Sequence, residues 1–497
     1  MKGVSQAPGS RSLRGSGIKG SLWTLGGHGA SQLVRFASNI LLSRLLFPAV
    51  FGQVALVYTF LTALQLFSDV GTTPAIVQNP RGDDPRFLRT AWTVTCVRGV
   101  VLWGASWLVA IPAAAFYDQP MLRWLIPGAA FSAVLTGCES TAIAQSRRHL
   151  RFERITLMEL ASQVLGTMTT VVLALGFRKW LGPSDPRAVW AIVAGGNAYG
   201  LARLVLSHTV LHGISHRFEL DREALASLVR FGRWVLLSTL LSFLSGPADR
   251  LVFGKLVPIA VLGVYGIAST LALVPTDAVL KVGSGVVFPA FSRASMRSDF
   301  NQIFPKVRMP LILGGAMIVS GLLAAGPVAV SILYDARYRD AGWMVQILAV
   351  ASWFQILENT NGAMLLATGR SDWMAAGNGV KLTGMLVFIP FGFMVGGFAG
   401  ALAGLVVAEA LRYLVSALAI RRRGLHVLGN DVGLTFGVGG VAAMGYAAGF
   451  LTSGWTESRV LALVAATTPC VAVWAGLGLL YWSRRPPGVL ERTAPPA

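Results

Sequence analysis

Residues 21–48, SLWTLGGHGASQLVRFASNILLSRLLFP, decide how the chain is read. The run is apolar enough to cross a bilayer, yet His28, Gln32, Arg35 and Asn39 recur within it at i, i+4, i+7 and i+11. On an α-helix those positions form one stripe, roughly 16 Å long at about 1.5 Å per residue. A guanidinium exposed to lipid at that depth is costly, so the stripe is expected to face protein or a hydrated cavity. The competing reading is a structural Arg satisfied by neighbouring helices.

The whole chain has the same character. Of its 497 residues, 54% are hydrophobic and only 13% are charged. That charge fraction is about half the usual share of a soluble domain and implies a polytopic membrane protein. The 56 glycines fit close helix packing in lipid. Cys96, Cys138 and Cys470 lie in apolar runs without metal-ligand or CxxC spacing and read as small core residues. The net charge of +20 would suggest nucleic acid in a soluble protein. Here Lys and Arg concentrate in short loops, so no nucleic-acid partner is expected.

Apolar runs of about 18 residues or more predict an all-α fold of about fourteen spans. They cover residues 21–46, 50–70, 89–115, 122–145, 155–177, 188–213, 232–255, 259–288, 306–334, 342–367, 372–393, 397–420, 432–452 and 459–482. Arg81, Arg86, Arg89, Arg147, Arg148, Arg151, Arg154 and Arg421–Arg423 fall in loops of one side, which the positive-inside rule assigns to the cytoplasm with both termini. The first span is expected to remain uncleaved.

The resulting plan has a cytoplasmic tail (1–20), an N-lobe of six helices (21–213) and a linker (214–231). A C-lobe of six helices (232–420), two further helices (421–482) and a second cytoplasmic tail (483–497) complete it. In the linker, Phe218, Leu225, Leu228 and Val229 recur among charges, which predicts an amphipathic interfacial helix. An internal echo supports paired lobes. Ser238, Ser242, Ser245 and Asp249 repeat the opening spacing 210 positions later, and SRLLFPAVFG at 43–52 is answered by FGKLVPIAVLG at 253–263. Such parallel repeats, related by a pseudo-twofold axis, are a transporter architecture.

Several ionisable residues fall inside these spans. Arg35, Arg98, Arg250 and Lys281 come from corresponding parts of the two halves and suggest a positively charged cavity for a diphosphate or other anionic headgroup. Glu409 and Arg412, three residues apart, are expected to neutralise each other. Asp249 and Arg250 are adjacent and are expected to face different partners. Asp69, Asp277 and Glu139 lie near helix ends. Glu358, within QILENTNG, is either an ion-coupling carboxylate or part of a hydrogen-bonded helix break. No P-loop, GxSxG or HExxH occurs, and the six histidines lack metal spacing. Neither an enzyme nor a cofactor or metal is therefore expected.

Residues 20–78 resemble the opening of the polysaccharide-exporter (Wzx-type flippase) family of the multidrug/oligosaccharidyl-lipid/polysaccharide superfamily. Trp23, Gln32, Asn39, Ile40, Pro48, Gly52, Phe67, Asp69 and Gly71 carry the likeness. A second block, residues 248–293, adds Asp249, Arg250, Gly263, Tyr265, Pro275, Phe288 and Pro289. The resemblance implies a multi-pass protein of the bacterial inner membrane. It would flip a polyprenyl-diphosphate-linked oligosaccharide by alternating access for exopolysaccharide, capsule or O-antigen synthesis, driven by an ion gradient (proton or sodium). Membrane lipids, a glycan polymerase and export machinery are the implied partners. By position, Arg35 and Arg250 are the cavity cations; Gln32 and Asn39 of the stripe, with Arg98 and Lys281 by location, complete the substrate set. Glu358, Asp249 and Asp69 are the coupling candidates. The alternatives are a peptidoglycan lipid-precursor flippase or a cation-coupled drug exporter of the same superfamily, and, outside transport, a scaffold or polymerase component of a glycan assembly complex.

Overall fold

A computed structural model describes residues 10–232, 246–282 and 300–483, apart from positions 70, 150, 183, 184, 212 and 247; the side chains of residues 10–25, 28, 181, 282 and 300–303 are not described. The described residues are helical, with no strand. They fall into two compact units, Met1–Phe243 and Leu244–Ala497. Nine described helices are long and apolar enough to cross a membrane, or ten if one bent pair counts as a single span. Outward-facing Leu108, Met394 and Phe436 are each more than three-quarters exposed, which suits a molecule whose solvent is lipid.

In the first unit, α1 is Ser10–Leu45, α2 Pro48–Leu66, α3 Thr72–Gln78 and α4 Pro85–Phe116. Then come α5 Leu122–Gly137, α6 Ala142–Arg148, α7 Phe152–Leu181 and α8 Val189–Thr209. The start of α4 is encoded locally: Asp84 accepts from the Arg86 amide at 3.0 Å, and Pro85 opens the first turn. Helices α4 and α5 run antiparallel and touch through glycine; a Cβ on Gly99 would stand 2.5 Å from the Ala133 carbonyl, and one on Gly137 2.6 Å from that of Thr95. The expected span 122–145 is two elements, because the helix stops at Gly137 and a new one begins at Ala142, whose amide donates to Ser140 Oγ at 3.1 Å.

The expected linker is helical only over residues 222–232 (α9). Phe218 precedes that helix and is exposed, as is Val229. The buried side is Ala224 and Leu228, which pack with Ala75, Ile76, Phe87 and Leu88 of the first unit. Arg89–Glu219 (3.1 Å) and Arg81–Asp221 (3.2 Å) pin the extended segment ahead of it. The helix therefore buries its apolar side on protein.

In the second unit, α10 is Ala248–Leu256, α11 Ile259–Ala272, α12 Val274–Val282, α13 Phe300–Leu333 and α14 Ala341–Ala367. Helices α15 (Ser371–Arg421), α16 (Leu428–Trp455) and α17 (Arg459–Ser483) follow. Ser238, Ser242, Ser245, Phe288 and Pro289, on which the internal echo and the second resemblance block partly rest, lie outside the described residues. The expected span 259–288 bends by 41° between α11 and α12. Pro275 has no amide hydrogen for the preceding turn, and Ser352 Oγ donates to the carbonyl of Ala272 at 2.5 Å.

At 51 residues α15 would be roughly 77 Å long if straight, far more than a bilayer. It breaks at Gly396 and Gly397, the latter at φ 57°, a left-handed conformation that glycine accepts without strain. The arms fold back on each other: Gly384 meets Ala408, Gly404 meets Phe388, and Gly392 meets Gly400. A Cβ on Gly392 would lie 2.1 Å from the Gly400 carbonyl. These pairs keep one register, so α15 is an antiparallel hairpin, as the expected spans 372–393 and 397–420 require. Helices α16 and α17 belong to the same unit; Trp474 Nε1 donates to Ser320 Oγ at 3.1 Å and Trp353 Nε1 to Thr435 Oγ1 at 2.9 Å.

Candidate functional site

The hairpin places Lys381 of its first arm opposite Glu409 of its second, 2.5 Å apart, with both side chains at most 5% exposed. Glu409 Oε1 also accepts from Gln355 Nε2 at 2.7 Å. Arg412, one turn on, reaches Glu358 of α14 at 3.1 Å and Glu409 only at 3.9 Å. The expected Glu409–Arg412 pair is thus present, but as the longest contact of a four-residue network. Residues three apart on a helix compete with whatever the facing helix brings closer, and here Lys381 and Glu358 win. Helix α14 runs unbroken through Glu358, so the helix-break reading of QILENTNG is corrected.

This network forms one wall of a cavity of about 390 Å³ inside the second unit. Asp249, Arg250, Tyr265, Ser269, Thr276, Asp277, Ser352, Gln355 and Asn359 line the rest together with apolar residues. Asp249 accepts from the Tyr265 hydroxyl. Asp249 and Arg250, expected to face different partners, share this cavity, because the short helix α10 turns both toward it. Its lining holds three cations (Arg250, Lys381, Arg412) and three carboxylates (Asp249, Asp277, Glu409). Among the described residues this lining is balanced in charge; of the expected cations it holds Arg250, while Lys281 is exposed and outside it. Charge balance is what an apolar surround enforces, since an unmatched buried ion costs several kcal/mol.

Polar atoms without a hydrogen bond lie in this wall. Thr276 Oγ1, Glu409 Oε2 and Arg412 Nε are buried and make no hydrogen bond.

A second buried cluster in the unit is closed. Arg308 grips Asp431 with two 2.7 Å bonds, donates to Thr360 at 3.1 Å, and the Tyr413 hydroxyl donates to Asp431 at 2.7 Å. The sequence assigns no role to Arg308, at the edge of the expected span 306–334, or to Asp431 and Lys381. Helix α13 begins six residues before the expected span, which draws Arg308 inside. Lys381 did carry a signal: a lysine ten residues into an apolar run.

In the first unit, Arg98 donates to Ser68 Oγ at 3.0 Å and to the Gln65 carbonyl at 2.8 Å, with Asp69 at 3.7 Å. Asp69 also accepts from the Gly71 amide at 2.9 Å. Both are thereby engaged in joining α4 to the end of α2. Arg203 pairs with Glu139 at 2.9 Å. Arg35 is exposed and has no ion pair among the described residues; Gln32 and Asn39 are half-buried on the same helix. The face of α1 that packs on α7 is the neighbouring one, where Ser31 meets Gln163 at 2.6 Å and Ser38 meets Thr167 at 3.2 Å. No group of three or more His, Cys, Asp or Glu side chains suited to a metal ion occurs among the described residues.

A family model described as "Polysaccharide biosynthesis protein" matches residues 41–342, more than half of the chain. The chain belongs to this polysaccharide biosynthesis family. It is similar to the lipopolysaccharide biosynthesis protein WzxC of Escherichia coli, 24% identical over 429 residues that cover 82% of this chain and 81% of that one. It is also similar to the succinoglycan biosynthesis transport protein ExoT of Rhizobium meliloti, 23% identical over 76% of this chain and 74% of ExoT. The teichuronic acid biosynthesis protein TuaB of Bacillus subtilis is 22% identical, and the match spans 62% of the length of each. Among solved structures, the lipid II flippase MurJ in an inward closed conformation superposes with a TM-score of 0.69 over 93% of this chain and 99% of that one, at 10% identity. An inward-facing MATE-family multidrug transporter gives 0.61 over 82% and 95%, at 16% identity. At these identities the structural likeness establishes the fold, that of polytopic membrane proteins. The family member described here is thus a multi-pass membrane protein of polysaccharide biosynthesis.

Proposed function

We propose that the chain moves a polyprenyl-diphosphate-linked oligosaccharide across the bacterial inner membrane by alternating access, with both termini in the cytoplasm, and that it performs no covalent chemistry. The observation that carries this reading is that a chain of the polysaccharide biosynthesis family has a membrane-spanning fold whose second unit holds a charged cavity. A sugar diphosphate cannot cross hydrocarbon unaided, because each buried polar group without a partner costs free energy. A polar cavity within a helical unit supplies those partners. Arg35 and Arg250 are the anion-binding cations of this proposal, since neither has an ion pair among the described residues, and Arg98, Lys281, Gln32 and Asn39 play supporting parts. Asp249 and Glu358 carry the coupling to a proton or sodium gradient, with Asp69 steadying the first unit. A glycan polymerase and export machinery consume the product.

The test is a deletion strain complemented with wild type, Arg35→Ala or Arg250→Ala at matched protein level. The deletion is expected to accumulate the lipid-linked glycan, wild type to clear it, and each variant to leave most of it in place. Unchanged lipid pools and normal surface glycan in the deletion strain would refute the proposal.

A further inference from the structure

We infer that the wall formed by Thr276, Asn359, Glu409 and Arg412 is a subsite for a neutral sugar ring, distinct in chemistry from whatever holds the diphosphate. The inference rests on the transport reading above and adds what the cavity recognises.

Three observations support it. First, the wall has no spare charge. Lys381 and Arg412 are matched by Glu409 and by Glu358 behind it, at 2.5 and 3.1 Å. An anion entering here would have to displace a buried carboxylate from its partner, and separated buried ions are strongly unfavourable. Second, the wall has unused hydrogen-bonding capacity of both kinds. Glu409 Oε2 is an acceptor, Arg412 Nε a donor and Thr276 Oγ1 either, all buried and without a hydrogen bond. Glu409 and Thr276 are at least 96% buried; among the described residues Thr276 Oγ1 and Arg412 Nε have no hydrogen-bond partner, and Glu409 Oε2 has only the Arg412 guanidinium at 3.9 Å. The Asn359 side chain lines the same cavity. Third, about 390 Å³ lies in the range of small-molecule sites, roughly 300–1,000 Å³.

A sugar hydroxyl both donates and accepts, so adjacent hydroxyls of one ring satisfy a carboxylate oxygen and a guanidinium N–H together. Such bonds are charge-assisted on the protein side and need no charge on the ligand. Phosphate offers acceptors only and leaves Glu409 Oε2 unmet. A uronic acid adds a negative charge to a wall that is already balanced.

The experiment uses the full chain in nanodiscs and three probes: polyprenyl diphosphate, the same carrier bearing one neutral hexose, and the carrier bearing a hexuronic acid. Affinities are read by ligand-dependent thermal shift for wild type, Thr276→Val and Asn359→Leu. Wild type is expected to bind the hexosyl carrier roughly tenfold more tightly than the bare carrier, and the hexuronosyl carrier no better than the bare one. Each variant should lose roughly five- to tenfold in hexosyl affinity, about one hydrogen bond, while its affinity for the bare carrier stays put. Equal binding of bare and hexosyl carriers by wild type, or variants that lose both equally, would overturn the subsite. Failure of wild type to bind any of the three carriers would overturn the transport reading, and the subsite with it.

Discussion

Arg308 and Asp431 offer the sharpest test of how this chain keeps charge inside a membrane protein. Their side chains are 6% and 1% exposed and share two 2.7 Å hydrogen bonds. Asp431 sits in the first turn of α16, where the helix dipole favours a carboxylate, and Tyr413 donates to it as well. The pair therefore ties α13 to α16. Asp431→Asn leaves the guanidinium buried without a counter-charge, and removing one partner of such a pair costs about 3–5 kcal/mol. At roughly 2–4 °C per kcal/mol for a unit of this size, the apparent Tm in detergent should fall by roughly 6–20 °C. The double variant Arg308→Met/Asp431→Leu removes the charges together and should recover most of that loss, because a matched buried pair is worth little more than well-packed apolar groups. The assay is thermal unfolding of the purified full chain, followed by size-exclusion recovery. A fall under about 2 °C for Asp431→Asn, or a double variant as unstable as the sum of the single ones, would refute the reasoning.

Two further outcomes follow from local geometry. Gly392→Val should cost far more than Gly396→Ala, because the first puts a side chain 2.1 Å from the Gly400 carbonyl while the second meets nothing within 4 Å; the yield of folded protein from membranes reads the difference, and equal yields would contradict the hairpin. His216, in the loop after α8, accepts from the Thr141 amide at 3.2 Å, and burial, with the nearby His208 and Arg89, pushes its pKa down to about 4. An unfolded histidine titrates near 6.5, so below that pH the unfolded chain binds a proton that the folded chain refuses. The stabilisation is complete above about pH 6.5 and is lost as pH falls toward 4; His216→Gln should flatten the Tm profile across that window, and an unchanged profile would exclude His216 as its source.

Much of the helical plan was legible because bilayer thickness imposes a length that apolar runs must meet. The break at Gly396–Gly397 is an example: VGGF stands between two apolar runs, and the structure folds back there. The stripe at Gln32, Arg35 and Asn39 was legible as a stripe, but not as the face next to the one that packs on α7. Pairing was the harder part. Glu409 and Arg412 look like partners in sequence because helical spacing joins them, yet the nearest charges arrive from other segments. Arg308 and Asp431 lie 123 positions apart at the edges of two apolar runs, where a charge normally means a loop. Only the positions where α13 and α16 begin reveal that both side chains are inside.

The two buried clusters of the second unit also separate structure from function without reference to any relative. Around Arg308 and Asp431 both carboxylate oxygens and both terminal guanidinium nitrogens are bonded, Tyr413 and Thr360 complete the set, and neither charged residue is among those left with an unmet atom. Around Lys381, Glu409 and Arg412 the charges are balanced but the hydrogen bonds are not: Glu409 Oε2, 3.9 Å from Arg412, and Arg412 Nε make none, in the wall of a cavity. A saturated cluster has nothing left to offer a ligand, and evolution can replace it by apolar packing at little cost. An unsaturated one carries a standing penalty, about 1–3 kcal/mol for each unmet group. Such a penalty is retained where something transient relieves it. The chain thus spends its few buried charges in two ways, and the hairpin at Gly396–Gly397 is what brings the second set together.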